Sequence, residues 1–280
     1  MILFLDKFLY SYFRVLIVIL MTKETLCLAD GLLADLKPVS LEEMSAVQLM
    51  NRTDTKYMTS MNVLPDILRL AENDYRIQEV GGQRDIPYNT VYFDTPEKSM
   101  FLAHQCGRAV REKIRVRTYV NSGLTFLEVK NKNNKGRTDK KRIRVTSCAN
   151  LSKEGGDEFL RKYAWYDLSV LNGCIENRFN RITLVNKNMT ERLTIDTNVC
   201  FRNLENGNEA KMQGVVIIEL KRDGNQDSPI REVLRHLHVR SASISKYCLG
   251  LVLTDPELKY NRFKPKLRQV TRIQKEMYNL

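Results

Sequence analysis

Arg108-Ala-Val-Arg-Glu-Lys-Ile-Arg-Val-Arg-Thr-Tyr119, an Asn121-Ser122-Gly123 turn, Phe126-Leu-Glu-Val-Lys-Asn-Lys132, a polar loop and Lys140-Lys-Arg-Ile-Arg-Val145 decide the fold of this chain. Arg111, Lys113, Arg115 and Arg117 recur at every second position, with Val110, Ile114 and Val116 between them. A period of two is that of a β-strand, so the cations share one sheet face and mostly apolar residues cover the other. Thr125–Lys132 repeats the pattern with Glu128, Lys130 and Lys132, and Lys140, Arg142 and Arg144 repeat it again. Cations stacked across three neighbouring strands repel one another unless a polyanion lies against them. For one strand alone, a solvated charged face is the ordinary explanation. Three in succession, two of them with an acid among the bases, argue for a sheet that holds many negative charges. A nucleic-acid sheet calls for aromatic residues between the cations. Tyr119 and Phe126 fall at strand ends, which favours phosphate without bases.

The composition agrees. Lys plus Arg outnumber Asp plus Glu by 45 to 33, a net charge of +12, and 280 residues suffice for a real core. The six cysteines, at 27, 106, 148, 174, 200 and 248, form no Cys-x-x-Cys pair, as expected of reduced, mostly buried thiols in a cytoplasmic protein. His104, His236 and His238 have no zinc-ligand spacing with them. Val15–Met21 is apolar but far shorter than the roughly 20 residues of a membrane span, and Leu26-Cys27-Leu28-Ala29 is a poor cleavage site. Residues 1–22 are therefore set apart as an amino-terminal extension, a mis-assigned start or a weak signal-like segment, and 23–280 are expected to form a single domain without a stable membrane span.

Outside the basic trio, Ser40 and Glu43 form a capping box that opens a helix to about Met50. A strand follows at 51–58 with Arg52, Asp54 and Lys56 on one face, and then a helix at 63–72 that tolerates Pro65 in its first turn. Residues 88–94 read as a strand, and the next helix stops at Gly107. Residues 153–172 read as helical. Strands at 178–185, 192–201 and 215–221 follow, the middle one with Arg192, Thr194, Asp196 and Asn198 on one face. Ser228-Pro229 opens a helix to about Val239, and Ser245-Lys246 precedes a last apolar helix to Leu253. No linker or repeat divides the chain.

The count is about eight strands, nearly all alternating charged with apolar residues. Closing the sheet with its charged side inward explains the acids among the bases. The expected architecture is an α+β fold, an antiparallel eight-stranded β-tunnel with a polar, cationic interior and helices packed outside. Inside it, Glu128, Asp196 and Glu219 could hold a divalent metal while the cations hold phosphate oxygens.

The motifs Asn51-Arg-Thr-Asp-Thr-Lys-Tyr57, Val91-Tyr-Phe-Asp-Thr-Pro96, Arg111-Glu-Lys-Ile-Arg-Val-Arg-Thr-Tyr119, Phe126-Leu-Glu-Val-Lys-Asn-Lys132, Ile217-Ile-Glu-Leu-Lys221 and Ser243-Ile-Ser-Lys-Tyr247 occur in order. Together they resemble the catalytic domain of the vacuolar transporter chaperone complex, the polyphosphate polymerase branch of the triphosphate tunnel metalloenzymes. The likeness runs from about residue 40 to 255. It implies transfer of the terminal phosphate of ATP to a growing inorganic polyphosphate, with Mn2+ or Mg2+. On this resemblance Arg115, Arg117, Lys130 and Lys246 are the catalytic cations. The phosphate-binding set is Arg52, Lys56, Arg111, Lys113, Lys132, Arg142, Arg181, Lys221 and Ser245, with Lys140 or Lys141 filling one further place. Glu219 matches the metal-binding glutamate. Ser243 stands where the eukaryotic enzyme has another lysine, so one phosphate contact differs. The resemblance implies a free-standing, bacterial-type member; it names no protein partner and no specific nucleic acid.

Each candidate also has a structural reading. Asp94 before Thr95-Pro96 suits a helix cap, Arg52 with Asp54 a structural pair, Glu128 and Glu219 partners for neighbouring lysines, and Trp165 the core. A carboxylate in the apolar strand around Glu219 is costly without a partner, which favours metal. Two rival functions remain: a triphosphatase or polyphosphatase of the same tunnel fold, and a non-catalytic polyanion-binding module. No Gly-x-x-x-x-Gly-Lys loop or kinase motif is present.

Overall fold

The computed structural model describes residues 28–45, 47, 52–224 and 226–278. The first described elements are a helix at 28–35 (α1), a two-residue strand Pro38–Val39 (β1) and α2, Leu41–Ser45. The capping box forms: Ser40 N–H donates to Glu43 Oε2 at 2.8 Å and Glu43 N–H to Ser40 Oγ at 3.1 Å. Continuation of that helix to Met50 lies outside the described residues. Next come β2 (Arg52–Ser60), α3 (Leu64–Ala71, Pro65 in its first turn), β3 (Tyr75–Gln78), β4 (Asp85–Asp94) and α4 (Ser99–Gln105). The basic trio is β5 (Arg111–Tyr119), β6 (Leu124–Lys132) and β7 (Thr138–Val145). After α5 (Gly156–Tyr163) follow β8 (Asn172–Asn186), β9 (Glu191–Asn203), β10 (Glu209–Lys211) and β11 (Val215–Asp223). The carboxy-terminal third ends in α6 (Pro229–His236), α7 (Lys246–Thr254) and α8 (Lys264–Tyr278).

Eight strands make one antiparallel path, β2-β11-β9-β8-β4-β5-β6-β7, with β3 and β10 added alongside β8 and β9. The sheet curls with its cationic side inward, as a half-barrel. Among the described residues its end strands β2 and β7 share no ladder. The outward residues of β8, β9 and β11, such as Leu184, Leu193, Ile195, Ile218 and Leu220, are buried beneath α3 and α6. A second core gathers Phe101, Phe263, Tyr247 and Leu249 around α4, α7 and α8. There α7 lies so close to β8 and β9 that a Cβ on Gly250 would sit 2.6 Å from Phe201 and 2.9 Å from Ile175. Only glycine lets these backbones approach.

Several expectations need correction. Residues 153–172 are not one helix: α5 ends at Tyr163, and Asn172 begins β8. Trp165 is 51% exposed rather than core. The helix at Pro229 ends at His236, and the helix at Lys246 is followed by α8, so it is not the last. Asn198 does not continue the inward face of β9: its φ is 52°, at an irregularity where the β8–β9 register shifts between Arg178 and Asn180. Asp94, by contrast, is the cap it resembled, accepting N–H bonds from Thr95, Met100 and Phe101 at 2.8–2.9 Å.

Candidate phosphate-binding tunnel

Antiparallel pairing brings the alternating cations together. Arg115 faces Glu128 across β5–β6 and Glu128 faces Arg142 across β6–β7, while Lys113, Lys130 and Lys140 line up in a row. From the other side Glu219 pairs in register with Lys56, and Arg181 with Asp196. These faces enclose a cavity of about 630 Å3 whose lining holds twelve Lys and Arg side chains, from Arg52 to Lys246, against Asp196 and Glu219.

The three carboxylates differ in how they are held. Glu128 has a side chain only 1% exposed, gripped by Arg115 through Nε at 2.7 Å and Nη2 at 2.6 Å and by Lys140. Burial alone would raise its pKa, but Arg115, Arg117 and Lys140 pull it down to about 2. Asp196, 5% exposed, takes a two-pronged contact from Arg181 at 2.6 and 2.9 Å and a third from Lys246. Burial opposes its charge, and Arg181 and Lys246 outweigh burial, holding it below the usual carboxylate range. Glu219 is the loosest: 16% exposed, with Lys221 at 2.6 Å and Lys56 at 3.7 Å. It too is kept ionised against burial by Lys56, Lys221 and Arg181.

Among the described residues no three His, Cys, Asp or Glu side chains form a group that could hold a metal. The three expected carboxylates do not form one group: Glu128 and Asp196 are held by cations on opposite walls, and of the two acids that line the cavity Glu219 is the more exposed. One carboxylate beside many phosphate-binding groups still suits Mg2+ or Mn2+, which bind through one or two carboxylates plus substrate phosphates.

The lysines are poised near neutrality. Burial lowers Lys113, Lys130 and Lys140 to about 8, with neighbouring cations adding to the shift at each. Burial and Arg181 bring Lys246 to about 7 although Asp196 opposes them. Burial, Arg115 and Arg181 lower Arg117 to about 10. An arriving polyanion would favour the charged form of each.

The end of the tunnel where β5 begins is crossed by residues 241–246. Ala242 N–H donates to Lys56 O at 2.7 Å and Lys56 Nζ to Ile244 O at 3.4 Å. Ser245 Oγ caps α7 by accepting Cys248 N–H at 3.3 Å and accepts Lys113 Nζ at 3.0 Å. Tyr247, one step along, donates to buried Asp94, so the cap of α4 also seats the Ser-Lys pair.

Of the expected phosphate binders, Arg52, Lys56, Lys113, Arg115, Arg117, Lys130, Lys140, Arg142, Arg181, Lys221, Ser245 and Lys246 line the cavity. Of the two candidates for the open place, Lys140 lines the cavity, whereas Lys141 does not and pairs with Asp139 at 3.5 Å. Arg111 and Lys132 face each other at the end of the β5–β6 ladder, outside the lining. Arg52 also pairs with Asp54 at 2.6 Å along its own strand. Arg192, placed on the charged face of its strand but not among the expected phosphate binders, also lines the cavity, and reading the strands separately missed the aromatic seats. Arg181 lies 5.1 Å from the Tyr88 ring and 5.2 Å from Phe179, and Arg142 lies 4.5 Å from Phe126. Tyr88 and Phe179 come from β4 and β8, strands distant in sequence from most of the cations they seat.

Residues 51–254 match the family model described as the VTC domain. The chain belongs to the VTC domain family. A comparison with curated proteins gives no significant match. Among solved structures, a putative adenylate cyclase from Vibrio parahaemolyticus aligns at 12% identity and a TM-score of 0.43, over 72% of this chain and 99% of that one. A putative adenylyl cyclase from Hippeastrum, described as having a dominant triphosphatase activity, aligns at 13% and 0.41 over 72% and 96%. A conserved hypothetical protein from Pyrococcus furiosus aligns at 13% and 0.38 over 70% and 99%. As a VTC domain the chain is a triphosphate-tunnel protein that handles phosphoryl groups. No helix among its described residues is long and apolar enough to cross a membrane.

Proposed function

We propose that this VTC domain is a polyphosphate polymerase, transferring the terminal phosphate of ATP to a growing inorganic polyphosphate inside the tunnel. The observation that carries this reading is the charge of the cavity: twelve cations against two acids in about 630 Å3. That excess is greater than one triphosphate can neutralise, and it suits a nucleotide together with a phosphate chain.

Phosphoryl transfer asks a protein mainly to position its reactants and to neutralise charge on the equatorial oxygens. Arg115 and Arg181, locked by Glu128 and Asp196, present rigid forks for phosphate oxygens, and Arg117 lies against the stacked Tyr88 and Phe179 rings beside them. Lys113, Lys130, Lys140 and Lys246 act as point charges that gain protons as phosphate arrives. Ser245 and the start of α7 offer polar contacts at the far end. Glu219 is the residue to hold a divalent cation together with substrate oxygens, and such an ion would neutralise developing charge.

The test is incubation of the protein with ATP and Mn2+ beside Glu219→Gln and Arg115→Ala, with products resolved on a polyphosphate-stained gel. A ladder of long chains that both substitutions abolish is the expected result. Orthophosphate alone would assign the tunnel to triphosphate hydrolysis. Metal-independent anion binding without turnover would leave a polyanion-binding module.

A further inference from the structure

Beyond the tunnel lies a second set of cations, most of them in no salt bridge among the described residues. Helix α8 crosses the end of the half-barrel where β5 begins. Its Gln269 side chain donates to Met58 O at 3.3 Å, and Met277 packs on Gly214. Phe263, Val270, Ile273 and Met277 are buried. The opposite face is exposed and carries Lys264, Arg268, Arg272 and Lys275 along a groove of about 730 Å3, with Tyr260 and Leu267. Of these four only Arg272 is in a salt bridge among the described residues, to Glu276 at 3.4 Å. From Lys264 to Lys275 the stripe is about 17 Å long.

This stripe joins the tunnel. The Arg262 guanidinium lies against Gly107, where a Cβ would be 2.3 Å from Nη1. Gly107 has φ 74° and leads directly into β5 and Arg111. His104 packs against Phe263 with ring centroids 5.6 Å apart, and Lys266 lies 5.6 Å from the same ring. Burial holds His104 down to about 3, and Lys113, Arg111, Lys266 and Arg262 add to the shift, as cations converging on one point must. Arg111 faces Lys132 across the ladder.

We propose that this ribbon, from Arg111 and Lys132 past Arg262 to Lys264, Arg268 and Lys275, binds the length of polyphosphate chain that lies outside the tunnel. The inference rests on the reading of the tunnel as a polyphosphate site. A flexible polyanion fits better than nucleic acid, because Tyr260 is the single aromatic residue in the groove. A membrane fits less well, because the exposed stripe lacks large apolar residues other than half-buried Leu267.

The experiment compares end-labelled polyphosphate of about 100 units with tripolyphosphate, measuring the affinity of each for the full chain. The variants are the triple substitution Lys264→Glu, Arg268→Glu and Lys275→Glu and its milder Gln counterpart, each checked by thermal melting. Loss of three counterion-releasing contacts should weaken the long chain at least about tenfold and flatten its salt dependence. Tripolyphosphate affinity should stay unchanged, and products should become shorter. Unchanged long-chain affinity in the folded Gln variant would overturn the ribbon while leaving the tunnel reading intact. Failure of the unsubstituted protein to bind either anion would overturn both. Loss of single-stranded RNA or anionic-vesicle binding with polyphosphate binding unaffected would reassign the surface.

Discussion

Asp196 and Glu219 lie on neighbouring strands of one wall and lead different chemical lives. Asp196 is closed in by an arginine fork and Lys246, whereas Glu219 touches Lys221 closely, Lys56 loosely, and the cavity directly. A buried carboxylate that accepts three contacts from two cations has most of its lone pairs engaged; its work is to fix arginine and lysine heads that would otherwise repel one another. Glu128 repeats the arrangement of Asp196 on the opposite wall. The difference teaches that acids in a cationic tunnel come in two kinds, and that the contacts of each decide which kind it is.

The comparison breaks most sharply at Asp196. Asp196→Asn leaves Arg181 and Lys246 buried without their counter-charge, and a loss of about 3–5 kcal/mol in denaturant-induced unfolding is expected. Stability equal to the unsubstituted protein would show that Asp196 is not structural. Glu219→Gln should lower metal-dependent turnover on the order of 10²–10³-fold and, because Lys221 loses its counter-charge, cost about 1–2 kcal/mol of stability, less than Asp196→Asn. Chelation of divalent ions should mimic the loss of turnover. Glu128→Gln falls between, because Lys140 is partly solvated; about 1–3 kcal/mol of stability should be lost.

A pH series sharpens the same contrast. Lys246 at about 7 and Lys113, Lys130 and Lys140 at about 8 all lie below the ordinary lysine value of 10.5. Between those values and 10.5 the unfolded chain binds more protons than the folded one, so these groups make the free protein more stable as pH rises. Affinity for tripolyphosphate should fall across the same window, as the cations discharge. Calorimetry in buffers of different ionisation enthalpy should show proton uptake on binding near pH 8, and no uptake would contradict the lowered lysines. The smallest effect belongs to Ser245→Ala, which removes the α7 cap and the Lys113 contact. About 1 kcal/mol of stability should go, with a modest rise in KM.

The tunnel was legible because β5, β6 and β7 keep strict alternation, and because Glu219 interrupts an apolar strand. What stayed hidden depends on three-dimensional neighbours. Lys246 and Asp196 are fifty positions apart, so no local pattern reveals that Asp196 is occupied. The irregularity at Asn198 breaks the period that had been extended through it. Residues 164–167 keep helical spacing of apolar groups, yet Ala164 is extended, with φ −109° and ψ 168°, and the helix ends. Helix α8 carries its buried stripe at Val270, Ile273 and Met277, but these few apolar residues are diluted by basic ones. The four residues of β3 are too short to show a period.

The crossing segment at 241–246 also has a consequence for biosynthesis. Lys56, Lys113 and Asp196 receive their partners Ile244, Ser245 and Lys246 from 188, 132 and 50 residues further along the chain. A nascent chain that has made every cationic strand still lacks these closing contacts until that segment leaves the ribosome. The end of the tunnel crossed by residues 241–246 is thus completed only late in translation.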